Sequence, residues 1–381
     1  MGDVIALYSM EAPNADDAEA VFSDSPTPIF TYSHKALPLS ADNAVLITPE
    51  GGILFGKNEH TPCEMASTTK VMTALLVAEY LEAHSLDEKT KISKEAAATE
   101  GSSVYLEAGE EVRLIDLLYA LMLESANDAA VALAEAVGGS LAAFVDMMNE
   151  KSQSLALDHT RFQNPHGLPA EDHYTTPYSL ARLMAYAMEN PLFARITATG
   201  QYSMKTETFT RHLVNHNRLL KSDCGVIGGK TGFTKRAGRC LVTVAEHEGA
   251  RLIAVTLSAP DDWLDHKTLY EYGFSTVKAV DIPKECHPLA VISGNSTLNA
   301  ISEAVTLTLP REFEALTFTR ELPRFVYAPI AKGDRVGTIT VSYQGKTLAK
   351  LMLTAETAVA EQKEKSVIEK LLDTLFQKDK K

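Results

Sequence analysis

The chain has 381 residues, 45% hydrophobic and 23% charged, with a formal net charge of −14. That length and balance suit a globular protein of two or three domains with full hydrophobic cores, and exclude a fibrous or wholly disordered chain. The acidic surplus, with no basic stripe, disfavours a nucleic-acid partner, and no apolar run reaches the roughly eighteen residues that a membrane span requires.

Residues 1–40 are acidic and rich in Ala, Pro and Ser, and read as a poorly ordered leader. The first residues lack the basic start and long apolar core of a signal peptide, so the chain is either cytoplasmic or begins after a removed signal. Ala44–Ile47 and Ile53–Phe55 flank a Pro-Glu-Gly-Gly turn and predict a β-hairpin. Ser67-Thr68-Thr69-Lys70 then leads into Val71, Met72, Ala74, Leu75, Leu76, Val77 and Ala78 with no Pro or Gly, which predicts a helix opened by Ser67. Residues three apart share a helix face, so the Lys70 amine comes within reach of the Ser67 hydroxyl. A neutral amine there can take the serine proton, and the helix N-terminus favours negative charge. Taken alone, the same four residues describe a capped helix with a solvated lysine.

Leu114, Leu117, Leu118, Leu121 and Met122 recur at helical spacing, and a second helix runs from Asp128 toward Gly138-Gly139. Ser125-Ala126-Asn127 lies between them, placed to point two small polar side chains into a cleft or simply to cap the junction. Ser140 is expected to cap a further helix. Asn164-Pro165-His166-Gly167-Leu168 is a turn-rich loop, in which His166 reads as structural because an amine base is already available.

Leu241–Val244 and Leu252–Leu257, joined at Glu248-Gly249, form a hairpin, and Lys230-Thr231-Gly232 lies on a neighbouring strand. Gly232 would let a ligand or another backbone approach closely. Gly228-Gly229-Lys230-Thr231 lacks the spacing and the following helix of a phosphate loop. From about Val277 short β-rich runs predict a small sandwich, and the end of the chain is an amphipathic helix. The expected organisation is a leader over 1–40, a catalytic domain over 41–276, a β-sandwich over 277–360 and a helical tail over 361–381. Cys63, Cys224, Cys240 and Cys286 are scattered, and the histidines show no ligand spacing, so no disulfide framework, metal or cofactor is expected.

Ser67-x-x-Lys70, Ser125-x-Asn127 and Lys230-Thr231-Gly232, in that order, resemble the three motifs of the penicillin-binding proteins and serine β-lactamases. Ala66–Leu75, Asp116–Tyr119, Ser125–Ala130, Asn164–Leu168, Lys230–Thr234 and Ala237–Cys240 narrow the likeness to the low-molecular-weight D-alanyl-D-alanine carboxypeptidases, over about residues 40–275. The resemblance implies an α/β (α+β) transpeptidase-like domain, an antiparallel sheet flanked by helices, followed by a small all-β domain. It implies that Ser67 attacks the carbonyl between two D-alanines of a peptidoglycan stem peptide, that β-lactams acylate the same serine, and that water then releases the acyl group. Lys70 is the implied base, its pKa lowered by burial and by Lys230. Ser125 would relay a proton to the leaving amine, while Asn127 holds Lys70 or the substrate amide. Lys230 and Thr231 would bind the terminal carboxylate, Gly232 lies beside them, and the N–H groups of Ser67 and Phe233 would form the oxyanion hole.

The family often carries a cation ahead of the third motif, where this chain has Asn215-His216-Asn217-Arg218. Arg218, with its fixed charge and bidentate fork, is the better carboxylate partner. A serine β-lactamase would need an activating glutamate between the second and third motifs, and none stands out there. A non-catalytic cell-wall binding protein is the other alternative. In the tail, Val367, Ile368, Leu371, Leu372, Leu375 and Phe376 form one apolar face beside Lys365, Lys370, Lys378, Lys380 and Lys381. That pattern suits a membrane surface, or a helix packed on the β-domain or on another copy, and the resemblance favours the membrane, implying an extracytoplasmic enzyme on the outer face of the cytoplasmic membrane.

Overall fold

A computed structural model describes Thr31 and residues 36–362. Most of the leader expected over 1–40 and all but two residues of the tail expected over 361–381 lie outside the described residues.

The first part of the chain builds one sheet and the helices that cover it. Its strands are β1 (Asn43–Ile47), β2 (Ile53–Lys57), β7 (Val226–Thr234), β8 (Gly238–His247) and β9 (Ala250–Leu257). They pair antiparallel in the order β2-β1-β9-β8-β7, which leaves β7 at an edge. Between β2 and β7 come α1 (Lys70–Ala83), α2 (Lys94–Ala97), α3 (Leu114–Leu123), α4 (Asn127–Gly138), α5 (Leu141–Ser154), α6 (Pro177–Ala187) and α7 (Pro191–Thr197). The same interval holds two short ribbons, β3 (Lys89–Lys91) with β4 (Glu111–Arg113), and β5 (Gln201–Lys205) with β6 (Thr210–Val214). Helix α8 (Asp262–Thr276) follows β9.

The period-two alternation of the strands decides which core each side chain enters. Val45, Ile47, Val242 and Val244 join the large core under the helices. Ala44, Leu46, Leu241 and Ala245 face the opposite way, onto Leu269 and Tyr270 of α8. Helix α1 is buried nearly all round because it runs through the middle of the helical layer, so its apolar residues need no single stripe. Truncating one of them, such as Leu75→Ala, should cost about 2–5 kcal/mol by leaving a cavity.

The expected opening of α1 by Ser67 is corrected here. Ala66–Thr69 form a 3₁₀ turn, α1 begins at Lys70, and Ser67 caps nothing. The turn is held by the side chains of Thr68 and Thr69, which donate to the carbonyls of Met65 (2.5 Å) and Ala66 (2.8 Å). With three residues per turn, positions i and i+3 eclipse, which brings Ser67 and Lys70 into closer alignment than an α-helix would. The Ser67 hydroxyl stays free for chemistry because it is not spent as a cap.

The remainder is all β. It comprises β10 (Val277–Ile282), β11 (Cys286–Ile292), β12 (Leu298–Ile301), β13 (Val305–Pro310), β14 (Thr317–Glu321), β15 (Phe325–Tyr327), β16 (Arg335–Tyr343) and β17 (Lys346–Ala355). A six-stranded sheet, β14-β16-β17-β12-β11-β15, shares a core with the β10–β13 pair through Ile282, Leu307, Leu309, Ile339, Val341 and Leu353. The two parts of the chain meet at β13. There the Thr308 amide donates to the buried Glu50 carboxylate (2.8 Å), and the Thr308 hydroxyl accepts from the Arg251 amide (2.9 Å).

Candidate active site

Lys70 is wholly buried, and its Nζ has three oxygen neighbours: Asn127 Oδ1 at 2.7 Å, the His166 carbonyl at 2.6 Å and Ser67 Oγ at 3.1 Å. Burial first, and Lys230 second, hold its pKa well below the ordinary lysine value. A neutral amine has two N–H donors and one lone pair. Asn127 Oδ1 and the His166 carbonyl can only accept, so they take the two donors. In the neutral amine the lone pair is then left for the Ser67 hydroxyl to donate to. That is the arrangement a general base requires.

Asn127 is fully committed, since its Nδ2 donates to the Glu100 carbonyl at 2.7 Å while its Oδ1 holds Lys70. Of the two partners that the sequence allowed Asn127, the structure gives Lys70. Ser125 is buried and its hydroxyl has no hydrogen-bond partner among the described residues, yet it lines the cleft that Ser67 faces. Ala66 and Ser125 both adopt left-handed backbone, with φ of +46° and +61°. Such conformations are costly for non-glycine residues and persist only where packing enforces them.

The third motif lies on the edge strand β7, whose Gly229 N–H and carbonyl are both bonded by the Thr197 hydroxyl at 2.9 Å. Lys230 is buried, donates to the Thr231 carbonyl at 2.8 Å, and is pulled down to about 7 by desolvation. Gly232 packs flush against the 3₁₀ turn, because a Cβ there would stand 3.2 Å from the Ala66 Cβ. Gly167 packs against the other side of the turn, with φ of +88°, where a Cβ would lie 2.0 Å from the Ala66 carbonyl. The strand and the loop thus clamp the segment that carries Ser67.

Ser67, Ser125, Thr231, Gly232, Phe233, His216 and Arg218 line one cleft of about 370 Å³, together with Ser102, Arg239, Asp262 and Trp263. Lys70, Asn127 and Lys230 stand behind that wall. Arg218 is exposed on a short 3₁₀ turn and has no hydrogen bond or ion pair among the described residues, whereas His216 contacts Glu124 at 3.1 Å. His166 is structural: its ring Nδ1 accepts from the Leu168 amide at 3.2 Å, and burial with the nearby Lys70 pulls it down to about 4.

Sequence reading missed His173, which supports the turn. Its Nδ1 accepts from the Gln163 amide at 2.9 Å, so Nε2 carries the proton and donates to Thr69 Oγ1 at 2.8 Å. No local pattern marks it, since its partners are 104 and 10 residues away. Among the described residues no group of His, Cys, Asp and Glu is arranged to hold a metal ion.

Residues 30–261 match the family model of the D-alanyl-D-alanine carboxypeptidases, and residues 274–361 match that of the C-terminal domain of penicillin-binding protein 5. This chain belongs to the D-alanyl-D-alanine carboxypeptidase family. The D-alanyl-D-alanine carboxypeptidase DacF of Bacillus subtilis is 33% identical over 339 residues, covering 83% of this chain and 85% of its own. DacC of Escherichia coli, of the same description, is 33% identical over 322 residues, 78% of each chain. Penicillin-binding protein 5 of Haemophilus influenzae superposes with a TM-score of 0.64 at 27% identity, over 86% of this chain and 99% of that one.

As a carboxypeptidase of this family, the protein is a serine hydrolase that removes the terminal D-alanine from peptidoglycan stem peptides. An acyl-enzyme and penicillin binding are general for the family, so the β-lactamase and non-catalytic alternatives fall away. The expected transpeptidase-like α/β domain and all-β C-terminal domain agree with this membership.

Proposed function

We propose that Ser67 is the nucleophile of this carboxypeptidase and Lys70 its base, with Ser125, Asn127, Lys230, Thr231, Gly232, Phe233 and Arg218 completing the site. The observation that carries the assignment is the environment of the Lys70 amine, two acceptors at 2.6 and 2.7 Å and a hydroxyl at 3.1 Å. The Ser67 proton passes to Lys70 Nζ as Oγ bonds to the penultimate D-alanine carbonyl carbon. The carbonyl oxygen becomes an oxyanion between the N–H groups of Ser67 and Phe233. The unpartnered Ser125 hydroxyl carries the proton from Lys70 to the departing D-alanine amine as the C–N bond breaks. Water then attacks the ester carbonyl, its proton passing to Lys70 and on to Ser67 Oγ as the ester C–Oγ bond breaks, so that Ser67 is restored and the shortened peptide leaves as a carboxylate. The terminal carboxylate of the substrate lies along Lys230 and Thr231, and Arg218 adds positive charge at the rim.

Release of D-alanine from a peptide ending in D-Ala-D-Ala tests the reading. Ser67→Ala and Lys70→Ala should each abolish release while keeping the parent's melting temperature. Full release by either variant would remove that residue from its role.

We further propose that the enzyme works outside the cytoplasm, peripheral on the outer face of the cytoplasmic membrane. What supports this is the apolar row Val367, Ile368, Leu371, Leu372, Leu375 and Phe376 beside five lysines, together with a substrate that belongs to the cell wall. The full chain should float with anionic liposomes at low salt, and a version ending near Glu361 should not. If both stay in the soluble fraction, the anchor is refuted.

A further inference from the structure

The cleft contains a second arginine that the three motifs do not include. Arg239 begins β8 directly opposite Phe233 of β7, so Thr231 is its diagonal neighbour on the same face of the sheet. A diagonal separation of roughly 7–8 Å is within reach of a long side chain. Arg239 and Thr231 both line the cleft that Ser67 faces.

The guanidinium is held in place from behind. Its Nε and Nη2 both donate to Asp262 Oδ1, at 3.1 and 2.7 Å, and Asp262 is buried at the start of α8. Its Cζ lies 5.5 Å from the centre of the Trp263 ring, which closes one face of the guanidinium. Arginine has five N–H donors, and two are used here. Nη1 has no hydrogen-bond partner among the described residues, and the side chain is 41% exposed. The anchored edge faces Asp262, and the opposite edge of the fork is free to receive a planar anion.

We propose that Arg239, positioned by Asp262 and Trp263, is the arginine that reads the terminal carboxylate of the substrate. This rests on the reading above that the carboxylate lies along Lys230 and Thr231. Arg218 lines the same cleft but is exposed and has no partner among the described residues, so it would have to be ordered when the substrate binds. Arg239 is already ordered. Lys230 cannot supply a constant charge, because burial brings it down to about 7, whereas a guanidinium keeps its charge at every working pH. The carboxylate would therefore be read by a fixed fork on β8 as well as by the motif on β7.

The test compares acylation by benzylpenicillin with acylation by its carboxyl methyl ester, in the parent and in Arg239→Ala, Arg239→Lys, Asp262→Asn and Arg218→Ala. The parent should prefer the acid. Arg239→Ala should lose about tenfold to a hundredfold on the acid, the worth of a charge-assisted hydrogen bond, and little on the ester. Arg239→Lys, which keeps charge and bulk should the alanine variant fold poorly, should lose part of the preference, as should Asp262→Asn. Arg218→Ala, which removes only the rim charge, should lose less of the preference than Arg239→Ala. If Arg239→Ala and Arg239→Lys both keep the parent's acid-to-ester ratio, Arg239 is only a tie between β8 and α8, while the carboxylate seat on Lys230 and Thr231 stands. A parent indifferent to esterification would instead refute that seat, and the inference with it.

Discussion

A Cβ built on Gly232 would lie 3.0 Å from the Ser67 amide nitrogen and 3.1 Å from that of Thr68. The edge strand is thus pressed against the turn that carries Ser67, and a side chain between them would push one aside by a few tenths of an ångström. The same closeness sets the Ser67 N–H beside β7, where it can share a developing oxyanion with the Phe233 N–H.

Gly232→Ala should therefore damage chemistry more than folding. The contact is tight rather than impossible, so the strand would move out by a few tenths of an ångström. That shift would misplace the two donors. The rate of penicillin acylation should fall by about a hundredfold to a thousandfold, the usual loss for an oxyanion donor, with a melting temperature near the parent's. An unchanged acylation rate would show that β7 does not form a wall of the oxyanion hole.

The two buried lysines predict a pH profile. Burial and Lys230 hold Lys70 well below the ordinary lysine value, and burial brings Lys230 down to about 7, so Lys230 carries its proton below that pH. As the pH rises through about 7, Lys230 loses that proton in the free enzyme. The kcat/KM for a free-acid peptide should then decline on the alkaline side, and Lys230→Arg should remove the decline. A decline that persists in Lys230→Arg would assign that limb to another group.

Asn127 offers a second handle on Lys70. Asn127→Asp would place a carboxylate where the amide oxygen now sits 2.7 Å from the amine, and would remove the donor to Glu100. A negative charge so close favours the ammonium form and raises the Lys70 pKa. The acidic limb of the acylation profile should shift to higher pH, with activity partly restored in alkali. A uniform loss at all pH values would mean that Asn127 acts by packing alone.

The junction between the two parts of the chain predicts a stability effect of opposite sense to that of most carboxylates. Burial raises Glu50 from 4.5 to about 7, and Glu189 beside it is also raised to about 7, first by burial and then by Glu50. Below the unfolded value both states are protonated and the contribution is complete. As pH rises toward 7 the unfolded carboxyl ionises freely and the buried one does not, so stability is lost. The melting temperature should be higher at about pH 5 than at about pH 8, and Glu50→Gln should flatten that slope. A slope unchanged by the substitution would place the effect elsewhere.

The features legible in the sequence were those written in short order along the chain. The hairpin of β1 and β2, the apolar run of α1, the Ser140 cap and the β8–β9 hairpin are local patterns, and the structure repeats them. The three motifs were legible because each places chemistry within four residues. The 3₁₀ turn at Ser67 was not, since it depends on Thr68 and Thr69 bonding back to the main chain and on Gly167 and Gly232 closing in from distant segments. His173, Glu50 and the Arg239–Asp262 pair were hidden for the same reason, as their partners lie far away in sequence or across strands.

The most direct test is intact-mass analysis of the enzyme after benzylpenicillin, with the adduct mapped by peptide. One adduct, on the peptide containing Ser67 and absent from Ser67→Ala, is the predicted result. An adduct that survives in Ser67→Ala, or that maps to another residue, would contradict the assignment of Ser67 as the nucleophile.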